Sequence, residues 1–159
     1  MLYLFKIISD EEKDFYRDVL VDEKNTFLEL HNLLQKNLGY DPSQLASFFV
    51  TNEDWEKMHE ITLMDMQMEN NEQAETMENT TIGKYISDLN RRLLYVFDFF
   101  SERAFFIELM ESFEKKSQKP TPFITSEQGK PPAQLLFLMN DSSTNEFSDD
   151  YYTEDPDDF

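Results

Sequence analysis

The sequence predicts a single α+β domain with a β-grasp-like opening, in the order strand, strand, helix, strand, continued by an antiparallel hairpin. Three observations support this prediction. Two apolar segments near the start of the chain, 1–8 and 15–21, are typical of strands. An amphipathic segment with the start and stop signals of a helix follows at 26–38. Two long runs rich in β-formers, 91–100 and 104–114, have the composition of paired strands.

The first two strands are predicted to form a hairpin around a polar turn at 9–14. Residues 1–8 are apolar at both alternating sets of positions, which is typical of a strand that is buried on both faces. In residues 15–21 the apolar and polar side chains alternate, and the charged Arg17 falls on the apolar side. This alternation indicates the returning strand of the hairpin.

The signals of a helix come next. Thr26 and Glu29 have the spacing of a capping box, in which each side chain accepts a hydrogen bond from the backbone amide of the other. Gly39 is a typical stop signal. Between these signals, apolar side chains recur at helical spacing at Phe27, Leu30, Leu34 and Leu38. We therefore expect a helix over 26–38 that packs on one face of the sheet, and a strand at 46–50 after it.

The middle of the chain is predicted to contain a short strand at 60–66, a polar loop at 67–80 and one or two helical turns at 81–89. Methionines cluster around the loop. Their alternating spacing favours a core position for Met64 together with Met66 or Met68. The alternative is an adaptable binding surface, which methionine-rich segments can form.

Two further strands and a proline-rich segment complete the domain, which we place at 1–140. The runs 91–100 and 104–114 are predicted to pair as a hairpin that turns at 101–103. A segment punctuated by prolines at 120–132 and a short apolar run follow.

The chain is strongly acidic, with a formal net charge of −19. Of its 33 acids, eight lie in 141–159, which leaves 25 acids against the 14 bases of the domain. Such a surface repels the phosphates of DNA and the headgroups of anionic membranes. We therefore expect no direct binding to nucleic acid and no membrane association, and we expect any partner to be a protein with a basic surface.

Residues 141–159 are predicted to be an acidic tail that is disordered when unbound. The tail has no base, and its aromatic residues include Tyr151, Tyr152 and Phe159. Two interpretations stand. The tail keeps the protein soluble, or it anchors a partner through these aromatic side chains.

Enzymatic motifs are missing from the sequence. There is no cysteine, no glycine-rich phosphate loop and no serine in a nucleophile motif. His31 and His59 are predicted to be structural, because a catalytic histidine needs a partner group that the sequence does not indicate. Asp98 and Glu102 could hold a cation as a carboxylate pair, but capping of the hairpin turn is the favoured role of Asp98. We predict no enzymatic activity and no cofactor.

Three stretches of the chain resemble a known family. They are FYRDVLVDEKNTFLELHNLLQKNLGY at 15–40, YVFDFFSERAFFIEL at 95–109 and GKPPAQ at 129–134. Their residue types and spacing are similar to those of the plasmid pRiA open-reading-frame-three-like family, whose members are also labelled passenger proteins of insertion elements. The segment 47–66 is similar to the linking region of the family's Bacteroidetes-like branch. The resemblance spans most of residues 1–138.

The central stretch departs from the family pattern. Phe100 and Ser101 stand where the pattern has Gly and Asp, and Arg103 and Phe105 stand where it has Trp and His. Asp98 is the main polar residue of the pattern that this chain keeps. It is an interaction candidate, together with Tyr151, Tyr152 and Phe159 of the tail.

Two functions are compatible with the sequence. The favoured one is a small cytoplasmic protein-interaction or adaptor module; the N-terminal segment has neither the basic start of a signal peptide nor the length of a spanning helix. The alternative follows from the family's link to mobile elements. In it, the acidic chain is an accessory of nucleic-acid transactions that mimics nucleic acid and occupies the basic site of a DNA-handling protein.

Overall fold

The computed structural model describes residues 1–64 and 75–136. Within these residues the chain forms eight strands, one α-helix and one short 3₁₀ turn. The elements in chain order are β1 (Leu2–Ser9), β2 (Tyr16–Asp22), α1 (Phe27–Leu38), β3 (Ser47–Thr51), β4 (Lys57–Thr62), β5 (Glu75–Thr76), the 3₁₀ turn (Ile82–Lys84), β6 (Arg92–Asp98), β7 (Arg103–Phe113) and β8 (Phe123–Gln128). The α+β class and the strand, strand, helix, strand opening are confirmed, although most of the fold is sheet.

All eight strands belong to one sheet, in the order β5-β4-β3-β6-β7-β1-β2-β8. Neighbouring strands are antiparallel except β4 and β5, which are parallel. The predicted hairpins β1–β2 and β6–β7 are both present. The hairpin β6–β7 lies at the centre of the sheet, between β3 and β1.

The helix begins and ends where its sequence signals predict. The Thr26 hydroxyl accepts from the Glu29 amide at 3.1 Å, and the Glu29 carboxylate accepts from the Thr26 amide at 2.9 Å. Gly39 adopts a left-handed conformation, with φ of 71°, and its amide donates to the carbonyls of the last helical turn. Phe27, Leu30 and Leu34 are fully buried against the sheet, which confirms the predicted packing of the helix.

Alternation along the strands divides the sheet into two faces. Leu93, Tyr95 and Phe97 of β6 join the core under the helix. Leu94 and Val96 alternate with them, are also buried, and lie outside that core cluster, on the opposite face. We call this second face the open face, because the one α-helix of the described residues packs on the other side.

Two predictions about the middle of the chain are wrong, and one strand was not predicted. Strand β4 ends at Thr62, so Met64 lies beyond it and its side chain is 53% exposed, whereas Met77 is the methionine in the core. Met66 and Met68 lie outside the described residues. The segment 67–80 is not a loop throughout, because β5 pairs with β4. The proline-rich segment 120–132 contains β8, whose prolines flank the strand and leave its amides free to pair with β2.

No helix among the described residues is long and apolar enough to cross a membrane.

Candidate functional site

Asp98 lies at the end of β6 and is buried, with 3% of its surface exposed. Its Oδ1 accepts from the Ser101 amide at 3.3 Å, which is the turn cap that the sequence predicts. Its Oδ2 accepts from the Arg103 guanidinium at 3.2 Å. The predicted alternative of a cation held by Asp98 and Glu102 is not favoured by this geometry, because both carboxylate oxygens of Asp98 already have donors.

Arg103 is the centre of a buried polar cluster that the sequence does not reveal. Its guanidinium pairs with both carboxylate oxygens of Glu11, at 2.6 and 2.8 Å, in addition to Asp98. It also donates to the carbonyls of Ala133 and Gln134, at 2.7 and 3.2 Å. Hydrogen bonds with Glu11 raise the pKa of Arg103 above the ordinary value of an arginine. The side chain therefore joins the turn after β1, the hairpin β6–β7 and the end of the described chain.

The segment 129–134 packs beside this cluster, at the C-terminal end of the helix. The Tyr40 hydroxyl donates to the carbonyl of Pro132 at 2.6 Å. The Gln134 side chain bonds both backbone groups of Asp41, at 2.7 and 3.1 Å. Gly129 has φ of 79°, and a Cβ there would lie 2.7 Å from the carbonyl oxygen of Asp14, so only glycine fits. The three stretches of the family resemblance thus meet at this end of the sheet.

A groove of about 420 Å³ runs over the open face from this end. Its floor is apolar and comes from the two central strands. Leu94 of β6 is opposite Phe106 of β7, and Val96 is opposite Ala104. The turn residues Asp10, Glu11, Ser101 and Glu102 line one end, and Trp55 and Lys57 line the other. We call this feature the open-face groove.

Trp55 forms the far wall of the open-face groove. It lies in the turn between β3 and β4 with φ of 64°, a left-handed conformation that is rare for a large side chain. Its ring meets the ring of Phe106 edge to face, with the centroids 5.1 Å apart. The Arg92 guanidinium lies over the ring, 5.0 Å from its centre. These contacts hold the Trp55 ring over the sheet despite the strained backbone.

Some charged groups around the groove form ion pairs, whereas others are exposed without one. Glu11 is paired with Arg103, and the Arg103 side chain is only 7% exposed. Asp10 and Glu102 are exposed, and neither lies within 4 Å of a basic nitrogen of the described residues. Lys57, at the Trp55 end, holds its ammonium over the ring of Phe49. The turn end of the groove therefore presents negative charge to solvent.

A second polar cluster joins β4, β5 and the 3₁₀ turn. The Glu75 carboxylate accepts from Lys84, from the Tyr85 hydroxyl and from His59 Nε2, the last at 3.0 Å. The His59 and Tyr85 rings stack, with centroids 4.8 Å apart. Burial alone would raise the pKa of Glu75, but the hydrogen bonds from Lys84, Tyr85 and His59 outweigh it and lower the pKa to about 2. Burial and the Glu75 carboxylate raise the pKa of Tyr85 to about 12.

At neutral pH this second cluster therefore contains a fixed carboxylate and a protonated phenol. Such a pair holds β5 and the 3₁₀ turn against β4, but neither group is poised to take or give a proton near pH 7. Across residues 1–64 and 75–136, no group of three or more His, Asp or Glu side chains is arranged to hold a metal ion.

Residues 2–135 match the family described as plasmid pRiA4b ORF-3-like protein. The chain belongs to the plasmid pRiA4b ORF-3-like family. The resemblance in the three stretches is thereby confirmed. No curated protein matches the sequence.

A solved structure shares the fold of this family member. It is the crystal structure of a protein of unknown function from Methanosarcina mazei Go1, with a TM-score of 0.65 and 20% sequence identity. The similarity covers 79% of this chain and 68% of that chain. At this identity the likeness shows the fold alone.

Two of the central-stretch residues that differ from the pattern described above line the open-face groove. Ser101 and Arg103 line its turn end, and Phe100 at the tip of the same turn is fully exposed. Phe105 instead belongs to the core under the helix.

Both histidines of the chain form side-chain contacts within the fold. His31 is 2% exposed, and its Nδ1 lies 2.6 Å from the Tyr95 hydroxyl. Gln35 donates to the same hydroxyl at 2.8 Å, so the Tyr95 proton points to His31, whose Nδ1 accepts. Burial lowers the pKa of His31 to about 4. His59 belongs to the Glu75 cluster.

The predicted site residues are not brought together in one place. Asp98 lies beneath the turn end of the groove, where it supports Arg103 and does not face solvent. Tyr151, Tyr152 and Phe159 lie outside the described residues. Sequence reasoning missed Trp55, Phe106 and Arg103 as site residues; an isolated tryptophan in a polar turn was the one available signal.

Proposed function

We propose that this protein is a non-enzymatic interaction module that binds a protein partner through the partner's basic surface. The observation that carries the proposal is the excess of unpaired acids at one end of the domain. Asp10, Glu12, Asp14 and Glu102 are exposed there, and none lies within 4 Å of a basic nitrogen among the described residues. The net charge of −19 adds to this local field.

The physical consequence is attraction of cations from a distance. Unpaired surface charges act over about a Debye length, roughly 8 Å at physiological ionic strength. A partner with a basic patch is steered toward such a surface and associates faster than a neutral one. A phosphate backbone is repelled, so we expect nucleic acid not to bind directly.

The cytoplasmic location also stays a prediction, which cell fractionation with a specific antibody would test.

Calorimetric titration of the full chain tests this proposal. Peptides rich in Lys and Arg should bind, and the affinity should fall when the salt is raised from about 50 to about 200 mM. Peptides of the same length with neutral residues in place of Lys and Arg serve as matched controls and should bind weakly or not at all. Duplex DNA should not bind.

Two results would contradict the proposal, and a third would favour the alternative function. The proposal fails if no basic peptide binds at low salt, or if neutral peptides bind equally well. If the chain displaces DNA from a basic DNA-handling protein while small basic peptides do not bind it, the nucleic-acid mimic replaces the general module as the function.

A further inference from the structure

The open-face groove has the two parts of a peptide site, an apolar floor and a charged end. Leu94 and Val96 are 7% and 2% exposed, so neighbouring side chains already cover them. Phe106 and Trp55 form the wall, and both are half-buried. The apolar surface left for an occupant to cover is therefore mainly that of Trp55 and Phe106. The floor alone does not say what the occupant is.

The charge of the turn end identifies the occupant. Asp10 and Glu102 are the accessible charges there, because Arg103 is buried and already bound by Glu11 and Asp98. Lys57, the exposed cation of the groove, lies at the opposite end. A cationic side chain therefore fits the turn end, and an apolar one fits the floor beside Trp55 and Phe106.

The spacing between these two places follows from the strand. From Leu94 to Asp98 the strand advances four residues, about 13 Å at roughly 3.3 Å per residue. An extended peptide advances at the same rate. An apolar residue over Phe106 and a Lys or Arg about four positions along would thus occupy both parts of the groove at once.

Resting on the proposed function, we infer that the open-face groove binds an extended segment of a basic partner protein, with an apolar residue against Trp55 and Phe106 and a Lys or Arg between Asp10 and Glu102. The exposed Glu102, with φ of 53°, holds its strained turn conformation at the mouth of this groove.

Trp55 makes the inference directly measurable, because it is the single tryptophan of the chain. A peptide with Leu and Arg four positions apart should change the Trp55 emission on binding, and calorimetry on the same peptide should give the same affinity. Replacing its Arg by Gln, or its Leu by Ser, should weaken both signals. The two peptide variants separate the charged end from the apolar floor.

Two double variants of the protein locate the binding. The double variant Asp10→Asn with Glu102→Gln removes the two negative charges at the turn end of the groove and keeps the size of both side chains. It should weaken binding about fivefold. Glu78→Gln with Glu114→Gln removes two exposed acids elsewhere, which form no ion pair with the described residues, and should leave the affinity within about twofold. All four positions are exposed, so both variants should keep the circular dichroism spectrum of the wild type.

Different results would contradict the groove as the binding site and the proposed function. If basic peptides bind by calorimetry but the Trp55 emission is unchanged, or if both double variants weaken binding equally, the groove is not the site and the attraction is diffuse. If no basic peptide binds by calorimetry, the proposed function fails and the groove fails with it. An emission change lost in Asp10→Asn with Glu102→Gln alone supports both.

Discussion

The free energy of unfolding is expected to decrease when the pH falls below about 6.5, and replacing His31 by Gln is expected to remove most of this decrease. His31 is buried beside Tyr95, and its pKa in the folded state is lowered to about 4 from an ordinary 6.5. Between these values the unfolded chain binds a proton that the folded protein does not. Stability is therefore complete above about pH 6.5 and decreases as the pH falls toward 4.

The size of this loss follows from the two pKa values. A folded-state pKa of about 4 against 6.5 predicts that the free energy of unfolding is lower by about 2 kcal/mol at about pH 5 than at about pH 7.5. For a domain of this length, such a loss corresponds to a fall of about 5–10 °C in melting temperature. The side chain is 2% exposed, so solvent screening reduces the effect little.

Urea unfolding followed by circular dichroism at the two pH values measures the effect. The wild type should lose about 2 kcal/mol, and His31→Gln should lose much less, because Gln does not titrate. The control is Asn32→Gln, a change at the exposed neighbouring position that leaves His31 in place, so its loss should equal that of the wild type. If His31→Gln loses as much stability as the wild type, the buried imidazole is not the source of the acid sensitivity.

Three further predictions concern the polar clusters and the tail. Glu75→Gln is expected to lower the free energy of unfolding by about 1–2 kcal/mol at neutral pH, with allowance for partial exposure of the carboxylate. Because the pKa of Glu75 is lowered from 4.5 to about 2, this stabilisation is present above pH 4.5 and is lost as the pH falls toward 2, where urea curves of wild type and variant should converge. Arg103→Met leaves two carboxylates without their cation and should cost about 3–5 kcal/mol in urea unfolding, whereas Arg103→Lys should cost less; equal costs would contradict the role of the guanidinium geometry. Truncation after Asn140 should leave the melting temperature nearly unchanged, since the eight acids of the tail repel one another; a large decrease would mean that the tail docks on its own domain.

The parts of the fold that local chemistry decides were predictable from the sequence. The helix is the clearest case, because the capping box of Thr26 and Glu29 and the stop at Gly39 act within a few residues. The hairpin β6–β7 follows from two adjacent apolar runs and a short turn. The burial of His31 beside Tyr95 agrees with its predicted structural role, whereas Glu75 and Tyr85 were not predicted as partners of His59.

The parts that depend on distant pairing were not predictable. Strand β8 exists because it completes the edge of the sheet beside β2, more than a hundred residues earlier in the chain. The pair β4–β5 likewise depends on residues on either side of a polar segment. The groove has the same origin. Trp55 and Phe106 are fifty-one residues apart, and only the sheet order β3-β6-β7 brings their rings together.

Arg103 explains why the acids at this end of the molecule divide into two groups with different roles. Its guanidinium forms ion pairs with Glu11 and Asp98, which are thereby fixed as supports of the two neighbouring turns. Asp10 and Glu102 lie next to those supports in the same turns, so their positions at the groove mouth depend on the buried pairs beneath them. The negative rim of the open-face groove therefore rests on the ion pairs that the buried Arg103 makes with Glu11 and Asp98.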